Sequence, residues 1–192
     1  MSANKGKRPG NTRKRHLIDR VVLIGFRGAG KTTVARALAQ RLRWTYVSTD
    51  ARIEEIINRP IARYVKEKGW PAFRAVERDV LQEVAGKNQV VLDCGGGVVE
   101  DPGNMNRLLP HALIVWVDAR LEDIIQRLES SGDRPLLTHP DLSRDVQINY
   151  HRRRPLYARY SHLRVDTSAQ SVETAVEQIL AHLQGTDKSH FR

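Results

Sequence analysis

Short β-branched apolar runs alternate along the chain with longer stretches in which apolar residues recur every three or four positions. The first run, Arg20-Val21-Val22-Leu23-Ile24, is apolar at four consecutive positions after Arg20, the mark of a strand covered on both faces. Behind it, residues 31–42 place Val34, Leu38 and Leu42 on one stripe of a helix. Further strands are expected over 45–48, 89–92, 112–117 and 163–165, and helices over 121–128, 142–160 and 172–183. Strands alternating with helices predict an α/β fold, here a three-layer sandwich with a five-stranded parallel sheet between helices. Residues 51–86 interrupt the alternation. They read as two or three helices broken at Arg59-Pro60 and Gly69-Trp70-Pro71, an all-helical insertion able to supply a substrate pocket. Residues 130–141 are polar, contain Gly132, Pro135 and Pro140, and predict a lid.

Composition narrows the picture. A chain of 192 residues with 40% hydrophobic content can bury one core, so residues 20–192 are expected to form a single domain. No run reaches the roughly 18 apolar residues a membrane span needs, and a soluble, cytoplasmic monomer is expected. The single cysteine, Cys94, excludes an internal disulfide framework and a cysteine-built metal cage. Its expected place is a small buried apolar position. The net charge of +10 is concentrated at the start, where Lys5, Lys7, Arg8, Arg13, Lys14, Arg15 and Arg20 face only Asp19. Residues 1–19, with nothing apolar between Met1 and Leu17 except Ala3, are expected to be a disordered basic leader. Weak nucleic-acid binding by that leader stays open, and the small excess elsewhere suits an anionic small molecule.

The strongest chemical signal is Gly25-Phe26-Arg27-Gly28-Ala29-Gly30-Lys31-Thr32, which matches G-x-x-x-x-G-K-[ST] directly after a strand and at the start of a helix. Such a loop curls backbone N–H groups around phosphate oxygens at a helix N-terminus, where the dipole favours an anion. ATP is therefore expected at Gly28, Ala29, Gly30, Lys31, Thr32 and Thr33. Lys31 would reach the outer phosphates and the Thr32 hydroxyl would ligate Mg²⁺. The motif predicts a nucleotide and leaves the chemistry open. No N-K-x-D segment for reading guanine is present. The small size, the helical insertion and the lid point to a kinase of a small acceptor, since phosphoryl transfer must exclude water.

Three further segments resemble shikimate kinases: Phe73-Arg74 followed by Glu77, Cys94-Gly95-Gly96-Gly97-Val98, and the pair Arg134-Pro135-Leu136-Leu137 with Arg153-Arg154-Pro155-Leu156-Tyr157. The resemblance implies transfer of the ATP γ-phosphate to the 3-hydroxyl of shikimate. It implies Arg74 and Arg153 as the grip on the substrate carboxylate, Gly95, Gly96 and Gly97 as the surface facing the ring, and Arg134 as a lid arginine on the transferring phosphate. Arg127 would pack on adenine, or else be an exposed helix arginine, and 166–169 align with the adenine-side loop. Arg152 and Arg154 flank Arg153, and the assignment there is open by one position. An Arg-Glu pair three apart on a helix also lets Glu77 orient Arg74 for a bidentate grip on an anion, although most such pairs are surface salt bridges.

The chain departs from the family at the end of its second strand. Where Asp-x-Asp is usual, it reads Ser48-Thr49-Asp50. Asp50 suits the residue that addresses the acceptor hydroxyl. The aspartate expected on the magnesium side is a serine. An acid ends the third strand instead, in Val90-Val91-Leu92-Asp93, as in a Walker-B strand that holds Mg²⁺ through its waters. Asp93 either takes over the magnesium role beside Thr32 or caps the glycine loop. Lys31, Asp50 and Arg134 are the candidate catalytic groups. Gluconate is an alternative acceptor on charge, and a weakly catalytic ligand-sensing protein is the alternative from another class.

Overall fold

The computed structural model describes residues 18–131 and 139–189. Five strands, β1 (Arg20–Ile24), β2 (Thr45–Ser48), β3 (Val90–Asp93), β4 (Ala112–Asp118) and β5 (Leu163–Asp166), form one parallel sheet in the order β2-β3-β1-β4-β5. Every residue of β1, β3 and β4 is buried, as their apolar runs, flanked by Arg20, Asp93 and Asp118, require of strands covered on both faces.

Side chains along β1 alternate between two cores. Val21 and Leu23 join Val91, Leu113 and Val115 on one face, where α1 (Lys31–Leu42) and α7 (Val172–Ser189) supply Val34, Leu38, Val176 and Ile179. Val22 and Ile24 join Leu92, Ile114 and Trp116 on the other. That face is covered by α3 (Ile61–Val84), α4 (Pro102–Leu108), α5 (Leu121–Ser131) and α6 (Leu142–Tyr160), through Leu81, Met105, Ile124 and Tyr157 among others. The result is the expected three-layer α/β sandwich.

A third cluster lies outside the sheet, where Ile53 of α2 (Thr49–Ile57) meets Phe73 and Val80 of α3, with Trp70 packed against them. This is the helical insertion of residues 51–86. Its two expected breaks take different forms. Asn58 ends α2 in a left-handed conformation, whereas α3 continues through Gly69 with a kink, at φ 80 and ψ 167. Two elements go beyond the sequence reading: a 3-10 turn, Val98–Glu100, and α4. Asp101 caps α4 by accepting from the Gly103 N–H, and Pro102 opens it. The expected leader over residues 1–19 lies almost wholly outside the described residues, and so does the centre of the expected lid, with Arg134. Among the described residues no helix is long and apolar enough to cross a membrane.

Candidate active site

The phosphate loop connects β1 to α1. Gly30, the N-cap of α1, sits at φ 86, a left-handed conformation that glycine adopts without steric cost. The first turn of α1 carries no acidic side chain of its own, and its N–H groups and dipole favour an anion. Lys31 is buried, and its Nζ donates to the Phe26 carbonyl at 3.0 Å, folding the ammonium back along the loop. Thr32 Oγ1 donates to Asp93 Oδ2 at 2.7 Å, and the Tyr46 phenol donates to the same oxygen at 3.2 Å. Burial, and then the negative charge of Asp93, push the Tyr46 phenol above its ordinary value. The Asp93 side chain thus faces the phosphate loop. The glycine run is held by a neighbour, since the Gly95 N–H donates to Thr49 Oγ1 at 3.1 Å. Ser48 lies beside Asp93 in the sheet register, and its hydroxyl caps α2 by accepting from Ala51 N.

Arg127 reaches back from α5. Its Nη1 donates to the Gly28 carbonyl at 3.1 Å and to Thr167 Oγ1 at 3.2 Å, and Thr167 in turn donates to the Ala29 carbonyl at 2.9 Å. Thr167, in the segment after β5, is thereby held against the phosphate loop.

Beside the loop at Arg27 lies a cavity of about 250 Å³, bordered by Arg27, Asp50, Arg74, Glu77, Gly97 and Arg153 with the rest of the glycine run and the Trp70–Phe73 wall. Arg74 Nη1 donates to Glu77 Oε2 at 2.6 Å and its Nη2 to Glu100 Oε2 at 2.8 Å. Trp70 and Phe73 flank the guanidinium, with ring centroids 5.7 and 5.3 Å away. Glu77 is 2% exposed. Burial pushes its carboxyl up from the ordinary value, and Arg74 pulls it part of the way back.

The glycines provide space. A side chain at Gly95 would meet Asp50 Oδ1 at 2.6 Å, and one at Gly97 would collide with the Arg74 guanidinium, so the run admits both polar groups to the backbone. Tyr157, fully buried, pins the run from behind by donating to the Gly96 carbonyl at 2.6 Å.

Of the three consecutive arginines on α6, Arg153 is the buried one, at 4% exposure, and the only one bordering the cavity. Helical period decides this. Val146, Asn149, Tyr150, Arg153 and Tyr157 share the buried stripe, whereas Arg152 and Arg154 point outward. Lys31, Thr32, Asp50, Arg74, Gly95, Gly96, Gly97, Asp93, Arg127 and Arg153 therefore gather around one loop and its two flanks. Arg134 lies outside the described residues.

Three participants escape a reading of the sequence. Arg27 forms a buried ion pair with Asp145 at the start of α6, and Glu100 meets the arginines of the cavity. Only the Arg27 position, inside the phosphate motif, carried a local signal.

A parallel sheet in this order, a phosphate loop after its central strand, and an arginine-lined cavity beside that loop define a P-loop kinase of a small anionic molecule. The family model for shikimate kinase matches residues 27–184. A shikimate kinase from Pelotomaculum thermopropionicum is 35% identical over 164 residues, covering 85% of this chain and 95% of that protein. One from Thermosynechococcus vestitus is 38% identical over 164 residues, covering 85% and 88%. The structure of a shikimate kinase from Acinetobacter baumannii in complex with shikimate superimposes with a TM-score of 0.83 at 27% identity, over 89% of this chain and 96% of that one. The chain belongs to the shikimate kinase family, and so to the ATP-dependent kinases with an alcohol acceptor.

Proposed function

We propose that this protein transfers the γ-phosphate of ATP to the 3-hydroxyl of shikimate, giving shikimate 3-phosphate and ADP, in the cytoplasmic route to the aromatic amino acids. The observation that carries the reading is the convergence of Arg74 from α3, Arg153 from α6 and Asp50 from α2 on one cavity beside the phosphate loop. Two guanidinium groups suit a carboxylate, and a cavity of about 250 Å³ suits a single small ring.

In this reading the catalytic domain spans residues 20–192, works as a monomer, and uses residues 51–86 to hold the acceptor. Arg74 and Arg153 fix the acid end of the acceptor and turn its hydroxyl toward the γ-phosphorus. Asp50 accepts the hydroxyl proton as the oxygen attacks, the bond to the β-bridging oxygen breaks, and ADP leaves. Lys31 and Arg134 balance the charge spreading over the transferred group. The role of Arg134, in a lid over residues 130–141, rests on the family resemblance alone. When bound, Mg²⁺ would supply positive charge to offset that of the phosphates. Hard oxygen donors suit it, and the Thr32 hydroxyl and Asp93 carboxylate stand side by side at the loop, so these two residues would hold it, Asp93 through water.

Release of ADP, followed by a coupled assay with shikimate, with gluconate and with no acceptor, tests the reading. Turnover that depends on shikimate is expected. Turnover with gluconate alone, or with neither acid, would overturn it.

A further inference from the structure

Arg74 and Arg153 belong to helices far apart in the chain, and two guanidinium groups brought to one cavity repel each other. A third side chain joins them. Glu100, the last residue of the 3-10 turn after the glycine run, accepts on Oε2 from Arg74 Nη2 at 2.8 Å and from Arg153 Nη2 at 2.9 Å. Its other oxygen, Oε1, lies 2.6 Å from Arg152 Nη2. One carboxylate therefore ties α3 and α6 to the turn that follows Gly97.

Arg74 and Arg153 border the cavity, and Glu100 is not among its lining residues. An acid in the cavity would meet guanidinium groups that Glu100 already holds together. Arg74 is fixed at two points, by Glu77 through Nη1 and by Glu100 through Nη2. For Arg153, whose side chain is 5% exposed, Glu100 is the carboxylate partner among the described residues. A guanidinium so buried without its counter-charge would be costly to keep in place.

We propose that Glu100 is a positioning residue of the acceptor site, setting the spacing and orientation at which Arg74 and Arg153 receive the acceptor's carboxylate. It acts through the two arginines and touches no reacting atom. The proposal rests on the functional reading above, in which those arginines grip the acid. Glu100 also lowers the net charge of the cluster, which suits the clamp to one carboxylate rather than to a more highly charged anion.

The variant Glu100→Gln keeps the shape and turns one acceptor oxygen into an N–H donor facing the guanidinium groups. Shikimate KM, and Kd followed by tryptophan fluorescence with Trp70 in the cavity wall, should each rise about tenfold, the scale of one lost charge-assisted hydrogen bond. The KM for ATP and the affinity for ADP should not change, and kcat at saturating shikimate should fall by less than about threefold. Glu100→Asp should recover part of the loss. Combined with Arg153→Lys, Glu100→Gln should cost less than the product of the separate effects, because both act on one contact.

An unchanged shikimate KM overturns the proposal, and so does a lower one, which would make Glu100 a competitor for the arginines. A parallel fall in kcat, ATP binding and thermal midpoint also overturns it, since the role would then be structural. If the wild-type protein does not turn over shikimate, the functional reading falls and takes this proposal with it. If the wild type is active and the variant keeps its constants, only the role of Glu100 falls.

Discussion

Asp93 and Ser48 end adjacent strands at the same level of the sheet, and their side chains do different work. Asp93 receives the Thr32 and Tyr46 hydroxyls, while Ser48 caps α2. An acid is thus kept beside the phosphate loop even though the second strand ends in a serine. Asp93→Asn should abolish most of the Mg²⁺-dependent gain in ADP affinity, by about tenfold to a hundredfold, while affinity without metal changes little. Calorimetric titration of ADP with and without Mg²⁺ measures this, and an intact metal-dependent gain would remove Asp93 from the metal site. At this scale the phosphate residues were legible because Gly28, Gly30, Lys31 and Thr32 lie in one contiguous motif. Two uses for Asp93 stood open because a sequence does not show which neighbour a strand's last side chain faces.

The kink in α3 decides where a wall of the cavity stands. Ile61, Tyr64 and Val65 pack with Ile53 of α2, the chain turns at Gly69, and Trp70, Phe73 and Arg74 beyond the kink join Ile61 and Ala62 before it in bordering the cavity. At φ 80 and ψ 167 Gly69 occupies a region nearly closed to other residues. Gly69→Ala should therefore cost about 1–3 kcal/mol and lower the thermal midpoint by several degrees. It should also raise the acceptor KM and leave the ATP KM unchanged. Thermal unfolding with steady-state kinetics checks the pair, and an unaltered midpoint would show that the kink tolerates a side chain. This break was readable from Gly69-Trp70-Pro71, because glycine and proline act locally. The helix α4 was not expected, although Asp101-Pro102 is a helix-start signal, since its seven residues are too few to show a periodic stripe.

Across the whole molecule, binding and stability pull against each other at Glu77. Burial raises its carboxyl above the ordinary 4.5, so between 4.5 and the raised value the folded state holds more protons than the unfolded state. Stability contributed by this group is greatest below that window and falls as pH rises through it. Above that window the ionised Glu77 opposes folding while it orients Arg74. Glu77→Gln, a neutral isostere, should have a thermal midpoint at pH 7 no lower than the wild type's. The difference should shrink as pH falls below about 4.5, where the wild-type carboxyl is neutral in both states. Its acceptor KM should rise because Arg74 loses a charged partner, although Arg74 keeps Glu100. Unfolding curves across that pH range test the sign, and a variant less stable at pH 7 would contradict it.

The sequence by itself determined the strands, the major helices and the phosphate loop. These depend on short-range patterns: apolar runs, helical period, and glycine or proline at fixed offsets. Even the inward direction of Arg153 is implicit in the stripe of Val146, Tyr150 and Tyr157. The tertiary structure alone decided which charges distant in the chain meet. Arg27 pairs with Asp145 and Glu100 with Arg153 because the parallel sheet brings successive loops to one edge, across separations of 118 and 53 residues. Pairing at such separations depends on distance in space, and no periodicity along the chain encodes it. Hence Glu100, an ordinary acid just after a glycine run, became part of the acceptor site only once α3 and α6 were folded around it.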